Sequence, residues 1–442
     1  MRKLSTFNFP PSTARLARVN IELINTGTEL MLGRVLNTHQ QWICRALADC
    51  GYVVTRQIAV ADDGHEIQRA VRDALSHADL VITTGGLGPT SDDLTRDLVA
   101  QLLGRKLVED ETVLANVTSF FALRHRPMPE QTRVQALVPE GAIVLHNRNG
   151  TAPGLAIEAD PNPFRLDRKA SWLLLLPGPP RELQPMFLHQ VIPLLRQKLP
   201  LASAYACRTL RTTGLGESVV EERIAARLKC LIDAGLEIGY CARTGDVDVR
   251  LAARGADGEK IVEKAEQIVR PLIDSHIFGD GDEQIESVLV RLLTERKQTL
   301  ALAESCTGGF LANRITNVPG SSAVLLAGLV TYSNEAKQTF LDVRAETLTA
   351  HGAVSEPVVR EMAEGARRRT GADYALAVTG IAGPSGGTAD KPVGIVFIAL
   401  ATDRHTFFLN PINRYDRETF KYVTSQQALE LLRRTLVGIK SE

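Results

Sequence analysis

The sequence predicts an α/β protein built from two parallel-sheet α/β domains joined by a small α+β module. Three observations predict it. Short apolar runs alternate with helical patterns over residues 20–198, and again over 283–442. The segment 199–282 reads β-α-β-β-α instead. The Gly/Asp-rich stretch "IFGDGDEQ" then marks a boundary near residue 282. A chain of 442 residues is long enough for several domains, each with its own core.

Residues 1–19 form a basic arm outside this pattern. "NIELINTGTELMLG" is an apolar run leading into a Gly/Thr turn and a helix start. "NTHQQWICRALADCG" continues at helical spacing and stops at Gly51, placed as a glycine just past a helix end. "YVVTRQIAV" is a strand. Asp63 caps the next helix, with Glu66 at the capping-box offset. "DLVITTGG" is a buried strand, and "SDDLTRDLVAQLLG" reads as a helix. The pattern resumes with "WLLLLPGPP" after a hairpin around residues 142–172. Strand and helix alternating at this rhythm imply a parallel sheet with crossover helices.

The middle segment offers the strand "ACRTLRTTGL", a helix, the paired strands "LEIGYCA" and "DVDVRLAARG", and a closing helix. The last domain runs through helix 284–297, strand 298–304, "AVLLAGLVTYS", helices around 344–370, the strand "DYALAVTG", two further strands and a final helix.

Composition narrows the function classes. Lys plus Arg equals Asp plus Glu at 51 each, which argues against a dedicated nucleic-acid binder. Six scattered cysteines, none in CxxC, fit a reducing cytoplasm better than a disulfide scaffold. The N-terminus lacks a signal-peptide core, and the longest apolar runs are too short to span a membrane. The expected location is cytoplasmic.

The stretch "LALAESCTGGFLANRI" puts Ser305, Cys306 and Thr307 between an apolar strand and a helix. α/β enzymes reuse that geometry for sites. Backbone N–H groups near Gly308 and Gly309 would face a developing oxyanion. Alternatively, Ser305 or Thr307 only caps the helix. A nucleophile needs a base, and no histidine of this domain lies in a Gly-rich loop or at a strand end. "TYSNEAK" instead supplies Tyr332 and Lys337, and serine–lysine pairs are a known variant. Lowering a lysine from its ordinary pKa of about 10.4 to near 7 costs about 4 kcal/mol, which burial supplies. "GIAGPSGG" follows a buried strand and offers Gly380, Gly383, Gly386 and Gly387 as an anion nest, or only a hairpin.

"ESCTGG", "TYSNEAK", "AVSE" at 353–356 and "TGIAGPSGG" followed by "KPVG" together resemble the C-terminal domain of the CinA family. The resemblance implies a nicotinamide mononucleotide deamidase that needs no cofactor and yields nicotinate mononucleotide and ammonia. It implies Ser305 as nucleophile, Lys337 and Tyr332 as its proton-handling partners, and substrate contacts from Thr307, Gly308, Gly309 and the four loop glycines.

"TTGGLGPTSDDLTRD" places a Gly-rich turn after a strand, a turn able to cradle phosphate. Asp92 and Asp93 are expected in the first turn of the following helix. Either they cap it with Thr90, or they hold Mg²⁺ bridged to phosphate. With "NTGTELMLG", "NGTAPG" and "LPGPPRELQPMF", this block resembles the family's molybdopterin-binding-like N-terminal domain. The resemblance implies an ADP-ribose pyrophosphatase that needs divalent metal and releases AMP and ribose 5-phosphate. Thr26, Gly27, Gly85, Gly86 and Arg148 are its expected phosphate contacts, and Glu29, Asp92 and Asp93 its expected metal residues. The middle segment resembles the family's KH-like connector. Its "GLGE" matches an RNA-binding clamp only loosely. The expected domains are 20–198, 199–282 and 283–442, and the expected assembly is a homodimer with small nucleotides as partners. Two other classes stay open: a non-enzymatic pterin- or nucleotide-binding protein, and a competence or recombination adaptor.

Overall fold

The computed structural model describes residues 19–439, so the basic arm falls outside the described residues save for Val19. The chain divides into two compact units by its internal contacts. One ends at Ala206 and also takes Arg254–Ala256; the other comprises Cys207–Ala253 and everything from Asp257 onward. The middle module thus shares a unit with the C-terminal domain.

The first unit opens with β1 (Ile21–Thr26), the short α1 (Thr28–Met31), α2 (Thr38–Asp49), β2 (Val54–Val60), α3 (Gly64–Leu75), β3 (Leu80–Thr84) and α4 (Thr95–Leu102). It continues with β4 (Leu107–Glu109), α5 (Glu111–Ala122), β5 (Leu137–Pro139), β6 (Ile143–Leu145), β7 (Gly154–Ala159), β8 (Ser171–Leu176), α6 (Pro180–Met186) and α7 (Ile192–Lys198). The main sheet runs β2-β1-β3-β8-β7-β6. Its first four strands are parallel, and β7 and β6 add an antiparallel edge. Asp63 caps α3 by accepting from the N–H groups of His65 and Glu66. Gly51 follows α2 with φ +85°, which suits a residue without Cβ. One expectation fails. Helix α4 starts at Thr95, so Asp92 and Asp93 precede it. Asp93 instead closes a turn, its carboxylate accepting from the Thr90 N–H at 3.0 Å and hydroxyl at 2.5 Å.

The KH-like module, nearly all of it in the second unit, comprises β9 (Tyr205–Thr213), α8 (Glu217–Asp233), β10 (Leu236–Arg243), β11 (Asp246–Arg254), α9 (Gly258–Ile273) and β12 (Ile277–Asp280). Its sheet order is β10-β11-β9-β12. The stretch expected as a bare junction therefore contributes an edge strand, antiparallel to β9.

The C-terminal domain follows with α10 (Ile285–Arg296), β13 (Leu300–Glu304), α11 (Phe310–Thr316), β14 (Leu325–Val330), α12 (Asn334–Leu341), α13 (Ala345–His351), α14 (Glu356–Thr370), β15 (Tyr374–Gly380), β16 (Val396–Ala401), β17 (Thr406–Leu409) and α15 (Arg417–Val437). The order is β14-β13-β15-β16-β17. The first three strands are parallel, while β16 and β17 are antiparallel. Strand β13 shows how sequence sets packing. Leu300 and Leu302 face the core that includes α10 and α15, while Ala301 and Ala303 face α14. Small side chains on one face let α14 come close. The same helix carries Gly365, where a Cβ would collide with the Leu341 carbonyl. Among the described residues, no helix is long and apolar enough to cross a membrane.

In both α/β sheets the chain reverses direction of travel at the same place. Strand β1 lies between β2 and β3, and β13 lies between β14 and β15. Crevices at the carboxyl ends of such strands are where α/β folds bind ligands.

Candidate active sites

Ser305 follows β13 directly, at the switch point of the C-terminal sheet. Its N–H donates to the Val378 carbonyl of β15 at 3.0 Å, which ties the turn to the neighbouring strand. Lys337 reaches it from α12. The Lys337 Nζ lies 3.2 Å from Ser305 Oγ, 2.8 Å from the Thr331 carbonyl and 3.3 Å from the Tyr332 carbonyl. Lys337 is 1% exposed. Burial pushes its pKa below the ordinary lysine value. A neutral amine has two N–H donors and one lone pair. In that form the two carbonyls would take the donors, which would leave the lone pair for the Ser305 hydroxyl.

The three candidate nucleophiles separate cleanly. The Cys306 thiol is buried and its pKa is pushed up to about 12, chiefly by burial, so it stays protonated. The Thr307 hydroxyl donates to Glu304 Oε2 at 2.7 Å. Ser305 alone meets the lysine.

Glu304, which sequence reasoning passed over, organises the turn. It is fully buried. Its Oε2 accepts from Thr307 Oγ1 and from the N–H groups of Gly309 and Leu311, each at 3.0 Å, and its Oε1 accepts from the Ala312 N–H at 2.9 Å. A carboxylate at a helix N-terminus is favoured by the orphan N–H groups there. This corrects the expected oxyanion donors. The Gly309 N–H is spent on Glu304, and the Gly308 N–H donates to the Ser305 carbonyl at 3.1 Å. The N–H groups of Cys306 and Thr307 reach no oxygen among the described residues, and they stand directly after the nucleophile. The two glycines serve the turn itself, with φ of +61° and +92°.

Tyr332 is placed differently from expectation. Its side chain is 61% exposed, and its hydroxyl accepts from Arg417 Nη2 at 3.0 Å rather than meeting Ser305 or Lys337. Its backbone carbonyl is the part that touches Lys337. Arg417, also missed in the sequence, donates through Nη1 to the Gly383 carbonyl at 3.0 Å. It thereby joins the end of β14 to the Gly-rich loop. Gly380 is needed for packing, since a Cβ there would lie 2.6 Å from the Ile395 carbonyl and 3.3 Å from Cys306 Sγ. Gly386 and Gly387 are exposed on the loop, where a Cβ would meet Ile381 and Val393 respectively.

In the first unit, a pocket of about 470 Å³ opens at the ends of β1 and β3. Thr26, Gly27, Glu29, Gly85, Gly86, Asp92 and Asp93 all line it. The close approach of the two strand ends demands glycine. A Cβ on Gly85 would sit 2.7 Å from Thr26 Oγ1, and one on Gly86 would collide with Thr95. Asp62 and His39, which were not expected, are among the further lining residues. Asp62 accepts from the Thr28 N–H at 2.8 Å. Burial lowers the His39 pKa, which favours the uncharged imidazole. Arg148 does not line the pocket. Its segment faces α6 instead, where Asn147 donates to Glu182 at 2.7 Å and Gly150 leaves room for the same carboxylate.

The expected metal residues share the pocket without forming a metal cluster. Among the described residues, no three His, Cys, Asp or Glu side chains gather to hold an ion. Asp93 is engaged by Thr90 and Asp62 by Thr28. The donor set does not fit a metal held by the protein alone.

Comparison with known proteins places the chain. The CinA C-terminal domain matches residues 282–436, a probable molybdopterin binding domain matches 22–197, and the KH domain of damage-inducible protein CinA matches 207–279. A CinA-like protein of Akkermansia muciniphila is 43% identical over 418 residues, covering 94% of this chain and 97% of its own. The chain belongs to the CinA family. A putative competence-damage inducible protein of Symbiobacterium thermophilum is 44% identical over 436 residues, covering 94% of this chain and 99% of its own. Among solved structures, competence/damage inducible protein CihA from Agrobacterium tumefaciens is 41% identical, with a TM-score of 0.34, over 35% of this chain and 93% of its own.

Proposed function

We propose that the C-terminal domain of this CinA-family chain hydrolyses the carboxamide of nicotinamide mononucleotide. The observation that carries this is the Lys337 amine, held by two backbone carbonyls with its third position 3.2 Å from Ser305 Oγ. The Ser305 hydroxyl donates its proton to the neutral Lys337 Nζ as Oγ attacks the amide carbon. The N–H groups of Cys306 and Thr307 stabilise the tetrahedral oxyanion. The Lys337 ammonium then gives its proton to the departing nitrogen, which leaves as ammonia. Water attacks the acyl-enzyme with Lys337 again as base, and nicotinate mononucleotide departs. The test is ammonia and nicotinate mononucleotide release by the purified chain, with Ser305→Ala beside it. Undiminished release by Ser305→Ala would refute the assignment.

The pocket of the first unit supports a phosphorylated riboside as ligand, because its glycine turn follows a strand at a switch point and its walls mix threonine with carboxylates. Within the proposal, that pocket cleaves ADP-ribose to AMP and ribose 5-phosphate. AMP release is measured in magnesium and in EDTA. No AMP in either condition would remove the pyrophosphatase reading and leave a binding pocket.

A further inference from the structure

We infer that Asp246 of the KH-like module is a positioning residue of the amidase, acting through Gln426 and Arg314 on the helix that follows Ser305. The inference rests on the proposed role of Ser305. Helix α11 has only seven residues, and helices this short are marginal without tertiary support. It is tethered at both ends. Glu304 holds its first N–H groups. Arg314, in its last turn and 5% exposed, holds the other end.

The Arg314 guanidinium donates to Ser425 Oγ, Glu286 Oε2 and Gln426 Oε1, each at 2.7 Å. Gln426 thus spends its oxygen on Arg314. Its amide nitrogen then donates to Asp246 Oδ1 at 2.8 Å. Asp246 begins β11, at the turn of the β10–β11 hairpin. Arg211 lies 3.6 Å from Asp246 and 2.7 Å from Asp248, and Arg243 lies 2.6 Å from Asp248. Three guanidinium groups therefore meet three carboxylates, and Asp246, Gln426, Arg211 and Arg314 are each no more than 5% exposed. Buried polar chains are stable only when every member is paired. Removing Asp246 would leave the Gln426 amide without an acceptor and free to turn its nitrogen toward Arg314. That change unseats the far tether of α11. A nucleophile displaced by about 1 Å loses up to roughly a hundredfold in rate.

The full-length chain is tested on nicotinamide mononucleotide as wild type, Asp246→Ala, Asp246→Asn, Gln426→Ala and the Asp246→Ala/Gln426→Ala double variant. Arg208→Ala serves as control, because Arg208 pairs with Glu259 on the exposed side of the same module. Rates are normalised to folded protein, measured by circular dichroism and gel filtration, so that loss of folded protein does not count as loss of kcat. Asp246→Ala and Gln426→Ala each lower kcat roughly tenfold and move KM less than about twofold. Their double variant is no slower than the slower single. Asp246→Asn, whose carbonyl can still accept from Gln426, stays near wild type, as does Arg208→Ala. If Asp246→Ala does not fold, Gln426→Ala decides alone. Wild-type turnover with unaltered kcat in Asp246→Ala or Gln426→Ala overturns the inference and leaves the Ser305 reading intact. A wild type that releases no ammonia removes both.

Discussion

Lys337 and Ser305 meet at 3.2 Å, although one sits on a helix and the other on a turn 32 residues earlier. The lysine amine is anchored by the Thr331 and Tyr332 carbonyls, so its approach to Ser305 is fixed by backbone rather than by a second side chain. Ser305→Ala and Lys337→Met are therefore each expected to cut kcat for amide hydrolysis by about a thousandfold or more. Lys337→Arg should be as inactive as Lys337→Met, since a guanidinium cannot give up its proton. Turnover by Lys337→Arg above about a tenth of wild type would remove the lysine as base.

The pH dependence follows from burial of that amine. Folding lowers the Lys337 pKa below 10.5. Activity needs the neutral form, so kcat/KM should rise with pH along a limb whose midpoint lies below that of a free lysine. The stability sign is the reverse of a salt-bridged lysine. Between the folded and unfolded pKa values, the unfolded chain binds the extra proton, so stability rises with pH in that window. The penalty is fully present below the folded pKa. Denaturant titrations across alkaline pH should show this slope in wild type and lose it in Lys337→Met.

Glu304 makes four hydrogen bonds from a fully buried carboxylate. Replacing it by alanine leaves those donors without an acceptor inside the domain. The expected loss is about 3–5 kcal/mol, the usual result of deleting one side of a buried charged contact. Glu304→Gln should cost less stability but still slow turnover, because an amide cannot accept at both ends. Chemical denaturation of the two variants checks the order, and equal stability of Glu304→Ala and wild type would contradict it.

The fold was legible wherever local pattern decided it. Runs such as 80–84 and 300–304 became the central strands. What escaped depends on distant partners. Strand β12 is four residues long and pairs with β9, more than sixty residues earlier, so locally it reads as a linker. Asp92 and Asp93 fit a helix start by spacing, but the Thr90–Asp93 turn delays the helix to Thr95. The site shows the same division. Ser305 and Lys337 were marked by residue type and neighbouring motif. Glu304 looked like an ordinary strand-end acid, because its value lies in N–H groups that arrive only when α11 folds back over it. Arg417 gave no signal, since its partners Tyr332 and Gly383 come from two separate loops.

Tyr332 and Arg417 should behave as one unit. The phenol accepts from the guanidinium at 3.0 Å and the same guanidinium holds the Gly383 carbonyl. Tyr332→Phe and Arg417→Gln should each slow amide hydrolysis, with Arg417→Gln the more severe because it frees the loop as well. The double variant should match Arg417→Gln within about twofold. Fully additive losses would mean that the phenol acts on substrate independently of the arginine.

The pocket of the first unit can be closed without touching Ser305. Gly86 has φ +66° and no room for a Cβ, which would collide with Thr95. Gly86→Ala must therefore shift the turn that lines the pocket beside Thr26 and Asp92. The strain of a side chain at positive φ adds about 1 kcal/mol or more. That is small against the stability of a domain, so the chain should still fold. Gly86→Ala is expected to lose at least about tenfold in AMP release from ADP-ribose while amide hydrolysis by the same preparation is unchanged. The reasoning is that a turn presenting backbone N–H groups to phosphate tolerates little displacement, whereas Ser305 and Lys337 belong to a different compact unit. Equal loss of both activities would show that the substitution unfolds the chain or that the two reactions share one site.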